Sequence, residues 1–192
     1  FWAYARVESV RNPDILKKMR KAGVRWLAYG IEAAHERVRK AVDKPSNPAV
    51  IEQAVQWTQE AGIWIVGNFI FGLPEDDMES MQMSLDMAKR FNFEWANFYC
   101  AMAYPGTKLF DQMRAAGVEM PKDWGAYGQY SANAQPLSTR YVTSKEIVAF
   151  RDAAFREYFE SPRYQEMIEK KFGSNARDFV RRILEHNLKR NG

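Results

Sequence analysis

Asn68-Phe69-Ile70-Phe71-Gly72-Leu73-Pro74-Glu75 is the stretch on which the reading of the fold turns. With Ile63-Trp64-Ile65-Val66 before it, it makes a near-continuous apolar run, the pattern of a strand covered on both faces. Gly72-Leu73-Pro74 turns the chain, and Glu75-Asp76-Asp77 puts acids at the start of a helix, where the macrodipole favours them. Along the strand Asn68 and Ile70 share one face, Phe69 and Phe71 the other. A polar side chain in such a strand needs a partner, either a ligand or a second buried polar group. Gly72, at the strand end, lets a ligand come close to the backbone. A tight turn beside a satisfied core asparagine accounts for the same residues.

The neighbouring segments repeat the plan. Residues 1–7 and 26–31 have strand character, as does Glu94 to Met102. Between them, helices are predicted from Asn12-Pro13-Asp14 to Gly23, from His35 to Val42, from Asn47-Pro48 to Ala61-Gly62, and from the acids at 75–77 to about Phe91. Lys44-Pro45-Ser46 breaks the second of these, and a further helix follows from Gly106 to Ala116. Strands alternating with helices imply parallel pairing through right-handed crossovers. Four such units make about half of a βα barrel with raw edges, which suggests missing sequence, as does a start at Phe1-Trp2 without Met. After Gly117 the character changes. Residues 118–142 form a long ordered loop, and Thr143 to Glu146 has capping-box spacing ahead of a helical pattern that reaches Lys189, interrupted at Ser161-Pro162 and Phe172-Gly173. The expected division is 1–117 and 118–192.

The 192 residues suffice for one globular unit with an appendage, and no apolar run approaches the roughly 18 residues of a membrane span. The net charge of +4 comes with bases alternating with acids, as in Arg151-Asp152 and Glu169-Lys170-Lys171, which fits a solvated helix surface and not nucleic-acid binding. A single cysteine, Cys100, forms no internal disulfide and suits a reducing, cytoplasmic setting; it is expected to be a small buried hydrophobe. His35 and His186 have no metal-ligand spacing, and no nucleophile-elbow, P-loop or dinucleotide motif occurs. The scattered tryptophans and the Met78, Met81, Met83, Met87 cluster are expected to be packing residues.

Four colinear stretches resemble the radical S-adenosylmethionine (SAM) superfamily. Asn68, Ile70, Gly72 and Glu75 match its strand-five Gly-x-Ile-x-Gly-x-x-Glu, with Asn in place of the first Gly. Ala5-Arg6-Val7-Glu8 resembles its strand-three end, Gly30-Ile31-Glu32-Ala33 its strand four followed by Val38 through Lys44, and Tyr104-Pro105-Gly106-Thr107 the turn after strand six. More loosely, Asp123-Trp124 and residues 150–159 resemble the tail of B12-type members. The resemblance implies an α/β fold: the C-terminal half of a (βα)6 partial TIM barrel with a helical C-terminal extension.

It also implies roles. Glu32 would accept hydrogen bonds from the SAM ribose, with Asn68 reaching the same sugar; Gly72 would offer backbone near the adenine, with Tyr99 beside it. Lys44 would hold the methionine carboxylate, and Arg6 would point into the barrel. Read without the family, Glu32 and Arg6 make an interior ion pair, Lys44 is loop surface and Tyr99 is core. Family chemistry cleaves SAM at a [4Fe–4S] cluster held by a C-x-x-x-C-x-x-C loop, giving a 5′-deoxyadenosyl radical. One cysteine cannot supply that loop, so this piece is expected to be inactive without the N-terminal half of its own chain. Cobalamin-assisted methyl transfer or rearrangement of a small-molecule or carrier-bound substrate is the expected parent reaction, although methylthiotransferases and ring-closing enzymes share these motifs. The alternative is a docking module at 117–192 with no catalytic residue.

Overall fold

The computed structural model describes residues 1–44, 47–186 and 188–190; the breaker Pro45-Ser46 lies outside them. Strands β1 (Trp2–Ala5), β2 (Trp26–Glu32), β3 (Trp64–Phe71) and β4 (Trp95–Cys100) pair in parallel in the order β1-β2-β3-β4. Sequence neighbours are therefore sheet neighbours, joined by α1 (Pro13–Lys21), by α2 (Glu36–Ala41) with α3 (Pro48–Glu60), and by α4 (Met78–Phe91). Helices α5 (Lys108–Ala115), α6 (Ser144–Glu160), α7 (Pro162–Phe172) and α8 (Ser174–Glu185) complete the chain. Asn12, Asn47, Asp77 and Thr143 each cap a helix by accepting a first-turn N–H, and Thr143 with Glu146 forms the expected capping box. Among the described residues, no helix is long and apolar enough to cross a membrane.

Alternation divides the sheet into two faces. Leu27, Tyr29, Ile31, Ile65, Phe69, Phe71, Ala96, Phe98 and Cys100 are buried beneath the helices. The opposite face carries Trp26, Gly30, Trp64, Val66, Asn68, Ile70, Trp95, Asn97 and Tyr99, and most of it is only half-buried. The expectation that β3 is covered on both faces therefore needs correction. Trp64, Val66 and Ile70 are only half-buried, so this face of β3 is not closed by a full layer of helices. At the amino ends of the strands, Phe172 of α7 stacks on Trp26 (centroids 5.8 Å apart) and meets Trp64 edge-on (4.7 Å).

The C-terminal helices share the sheet's core. Tyr158 and Tyr164 donate their hydroxyls to the carbonyls of Phe93 (2.7 Å) and Glu94 (3.0 Å), just before β4. The buried Glu94 carboxylate accepts from Ile65 N (2.8 Å) at the start of β3 and pairs with Lys171.

Three smaller expectations also change. Residues 118–142 contain a short 3-10 turn at Trp124–Tyr127, and helix α8 stops at Glu185 rather than reaching Lys189. Trp2 and Trp124 are exposed, and of the methionine cluster only Met81 and Met87 are buried, because a 14-residue helix against a sheet buries one stripe.

Candidate functional site

Ordinary residues prefer φ below zero, yet Glu32 sits at φ 67, where a bulge shifts the β2–β3 register between Gly30 and Glu32. The bulge carries the carboxylate back over Gly30: a Cβ added to Gly30 would lie 2.7 Å from Glu32 Oε1 and 3.6 Å from Lys44 Nζ. Lys44 pairs with Glu32 at 3.2 Å, and the two side chains are 30% and 15% exposed, so the pair is shielded yet reachable. Strain retained at such a point needs surrounding support and marks candidate sites.

Beside them, at the register position next to Gly30, Asn68 donates to Tyr29 O (3.0 Å) and accepts from Asn97 Nδ2 (2.9 Å). Asn97 accepts in turn from Trp95 Nε1 (2.9 Å). The polar residue in the apolar strand thus has protein partners, while one amide hydrogen and one lone pair of Asn68 remain for a ligand. Tyr99 is half-buried one register step further along, next to Ile70, its hydroxyl pKa raised by burial and by the neighbouring Tyr130, Tyr4 and Tyr104. Arg6 does not join Glu32. It follows β1 with an exposed side chain and pairs with Glu8 at 3.3 Å, so the interior Glu32–Arg6 pair is replaced by Glu32–Lys44, and Lys44 is not plain loop surface.

Gly72, at φ 78, turns the chain after β3. The acid that organises this turn is Asp76, not Glu75. The Asp76 carboxylate accepts from Leu73 N (3.0 Å) and Ser80 Oγ (2.6 Å), while Glu75 faces outward to Arg140 (2.8 Å). Three consecutive acids gave no signal in sequence for which one is buried; the serine four residues after Asp76 was the only hint. Asn97 carries the same sequence signal as Asn68, an amide in an otherwise apolar strand.

Burial pushes Asp76 up to about 6, against the lowering effect of its hydrogen bonds from Ser80 and from the Leu73 and Gly72 amides. Because the folded pKa exceeds the unfolded value near 3.9, this group's stabilising contribution is present at low pH and lost as pH rises through about 6. Relative to Asp76→Asn, the wild type is expected to gain about 1 kcal/mol between pH 7.5 and pH 5, read from urea unfolding at both values. Glu36, Asp77 and Glu146, whose pKa values are lowered by hydrogen bonding, act only at more acidic pH. An unchanged difference between the two proteins would place Asp76 outside this account.

Cys100 is buried, its thiol pushed up by desolvation, and its backbone N–H and C=O are both taken by the Gln129 side chain. It does not fit a cluster ligand. Among the described residues, no group of three His, Cys, Asp or Glu is placed to hold a metal.

Glu32 at the end of β2, Lys44 from the segment after α2 and Asn68 within β3 thus form one polar cluster toward the carboxyl ends of parallel strands, the end at which βα barrels bind ligands. Residues 5–88 match the family model of the Radical SAM superfamily. An uncharacterized methyltransferase of Pyrococcus horikoshii is 24% identical over 162 residues, 84% of this chain and 35% of the relative. Bacteriochlorophyllide d C-8(2)-methyltransferase of Chlorobaculum tepidum is 23% identical, covering 77% of this chain and 34% of that protein. The chain thus spans about a third of these relatives' length. The radical SAM methyltransferase TsrM of Kitasatospora setae, solved with cobalamin and a [4Fe-4S] cluster bound, has the same fold (TM-score 0.54, 18% identity, 76% of this chain and 29% of that one).

Proposed function

We propose that the whole protein is a radical SAM methyltransferase assisted by cobalamin, and that this chain supplies one side of its SAM cradle. The observation that carries this reading is the convergence of Glu32 and Lys44 over Gly30, with Asn68 at the paired position of the neighbouring strand. Their chemistry fits the ligand. Glu32 accepts from the two ribose hydroxyls, Asn68 uses its spare donor and acceptor on the same sugar, and Lys44 exchanges Glu32 for the ligand's carboxylate. Backbone at Gly72 lies against the adenine, with Tyr99 beside it. Arg6, exposed and paired with Glu8, takes no part in this set. SAM, when bound, supplies the sulfonium bond that the family cleaves. The methyltransferase relatives and the cobalamin-bound structural neighbour support the methyl-transfer assignment.

The cluster is a different matter, since the sole cysteine is buried and tied by its backbone. On this reading the ligating thiolates come from the N-terminal part of the same protein, the substrate is a small or carrier-bound molecule, and the setting is the reducing cytoplasm. This chain alone, reconstituted with iron and sulfide, is expected to develop no cluster absorbance.

The test uses S-adenosylhomocysteine, which needs no cluster, titrated against the chain and followed by NMR. Glu32→Ala is expected to weaken binding at least about tenfold, the scale of hydrogen bonds to a charged acceptor, while Arg6→Ala changes it less than about twofold. Absence of binding, or equal loss in both variants, would remove the assignment.

A further inference from the structure

The turn from Gly72 to Asp77 is held by a segment remote in sequence. Thr139 Oγ1 donates to Asp76 O (2.8 Å) and accepts from Tyr141 N and Val142 N (both 3.0 Å), which folds residues 139–142 around one hydroxyl. Leu137 N donates to Ala101 O (3.0 Å) beyond the end of β4, so the same segment is anchored on the neighbouring strand. Arg140 pairs with Glu75 at 2.8 Å. Ile147, in the first turns of α6 and fully buried, occupies the space where a side chain on Gly72 would stand: an added Cβ would lie 2.7 Å from its Cδ1 and 3.0 Å from its Cγ2.

These contacts form one chain of restraint. Thr139 fixes the carbonyl of Asp76. The Asp76 carboxylate fixes the amide of Leu73, and Asp76 N returns a bond to Leu73 O (2.8 Å). Ile147 then closes the Gly72 backbone from behind. We infer that residues 137–147 are a positioning strap: Thr139 and Ile147 set the Gly72–Asp77 backbone, so the C-terminal extension shapes the nucleoside site it adjoins. The part concerning ligand rests on the SAM reading above; the part concerning the turn does not.

Thr139→Val keeps the shape of the side chain and removes all three hydrogen bonds, whereas Thr139→Ser keeps them. By NMR hydrogen exchange, Thr139→Val is expected to speed the Leu73 and Asp76 amides at least about fivefold, the scale of one net hydrogen bond, with Ile65 N unchanged. S-adenosylhomocysteine affinity should fall by a similar factor with the melting temperature little altered, and Thr139→Ser should restore both. A strap that merely stabilises the fold would lower the melting temperature and leave affinity of the folded protein as it was, which overturns the inference. Wild-type exchange at both amides in Thr139→Val overturns it too. Should Thr139→Val fail to fold, Ile147→Val, which trims the Cδ1 methyl nearest Gly72, carries the same test with smaller expected changes. If the wild type binds no S-adenosylhomocysteine, the SAM reading falls, and amide exchange alone decides the strap.

Discussion

Gly72→Ala is expected to lower the melting temperature by about 5–15 °C. Two costs add. The backbone at φ 78 suits glycine, and a Cβ there costs about 1–2 kcal/mol. The new methyl also meets Ile147 at 2.7 Å, against a helix whose neighbours Val148 and Ala154 are buried in the same core, and such overpacking costs about 1–3 kcal/mol. In a chain of this size each kcal/mol is worth about 2–4 °C. Ile147→Ala removes every atom that the methyl would strike, so the double variant should be more stable than the sum of the single effects predicts. A thermal-melt double-mutant cycle reads that coupling directly. Strict additivity would mean that the two residues do not press on one another.

The second large effect is at Glu94, whose side chain is 2% exposed. Its carboxylate accepts from Ile65 N at the head of β3 and is paired with Lys171 at the end of α7. Glu94→Ala leaves a strand-end amide without its acceptor and Lys171 without its partner; breaking a buried pair in this way costs about 3–5 kcal/mol. Lys171 is 40% exposed and can turn to water, so the cost is expected near the lower end of that range. Glu94→Gln keeps an acceptor for Ile65 and should lose roughly half as much, since only the charge is removed. Denaturant unfolding of both variants checks the order. Equal loss in both would show that charge, and not the hydrogen bond to β3, is what matters there.

Both positions bear on how the C-terminal segment relates to the sheet. Tyr158, Tyr164 and Lys171 reach the start of β4, while Thr139, Arg140 and Ile147 reach the turn after β3. The extension grips the sheet at both strand ends, and a deletion of residues 143–192 would expose Phe98 and Phe71, whose rings pack against Tyr158 and Phe150.

Local chemistry explains what the sequence determined by itself. Period-two and period-3.6 patterns placed all four strands and the helices between them, because alternation and capping act within a few residues. Asn12, Asn47, Asp77 and Thr143 marked helix starts for that reason. Asn68 and Gly72 stood out too, as a polar residue within an apolar strand and a glycine at its end, whereas Glu32 was marked by the family resemblance alone. Only the tertiary structure decided which partners they meet. That Glu32 turns back over Gly30 to Lys44, that Arg6 stays with Glu8, and that Asp76 and not Glu75 is buried all depend on a bulge, a register and a strap joining residues 63 positions apart. Burial and charge pairing are long-range sums over the packed chain, and no window of sequence contains them.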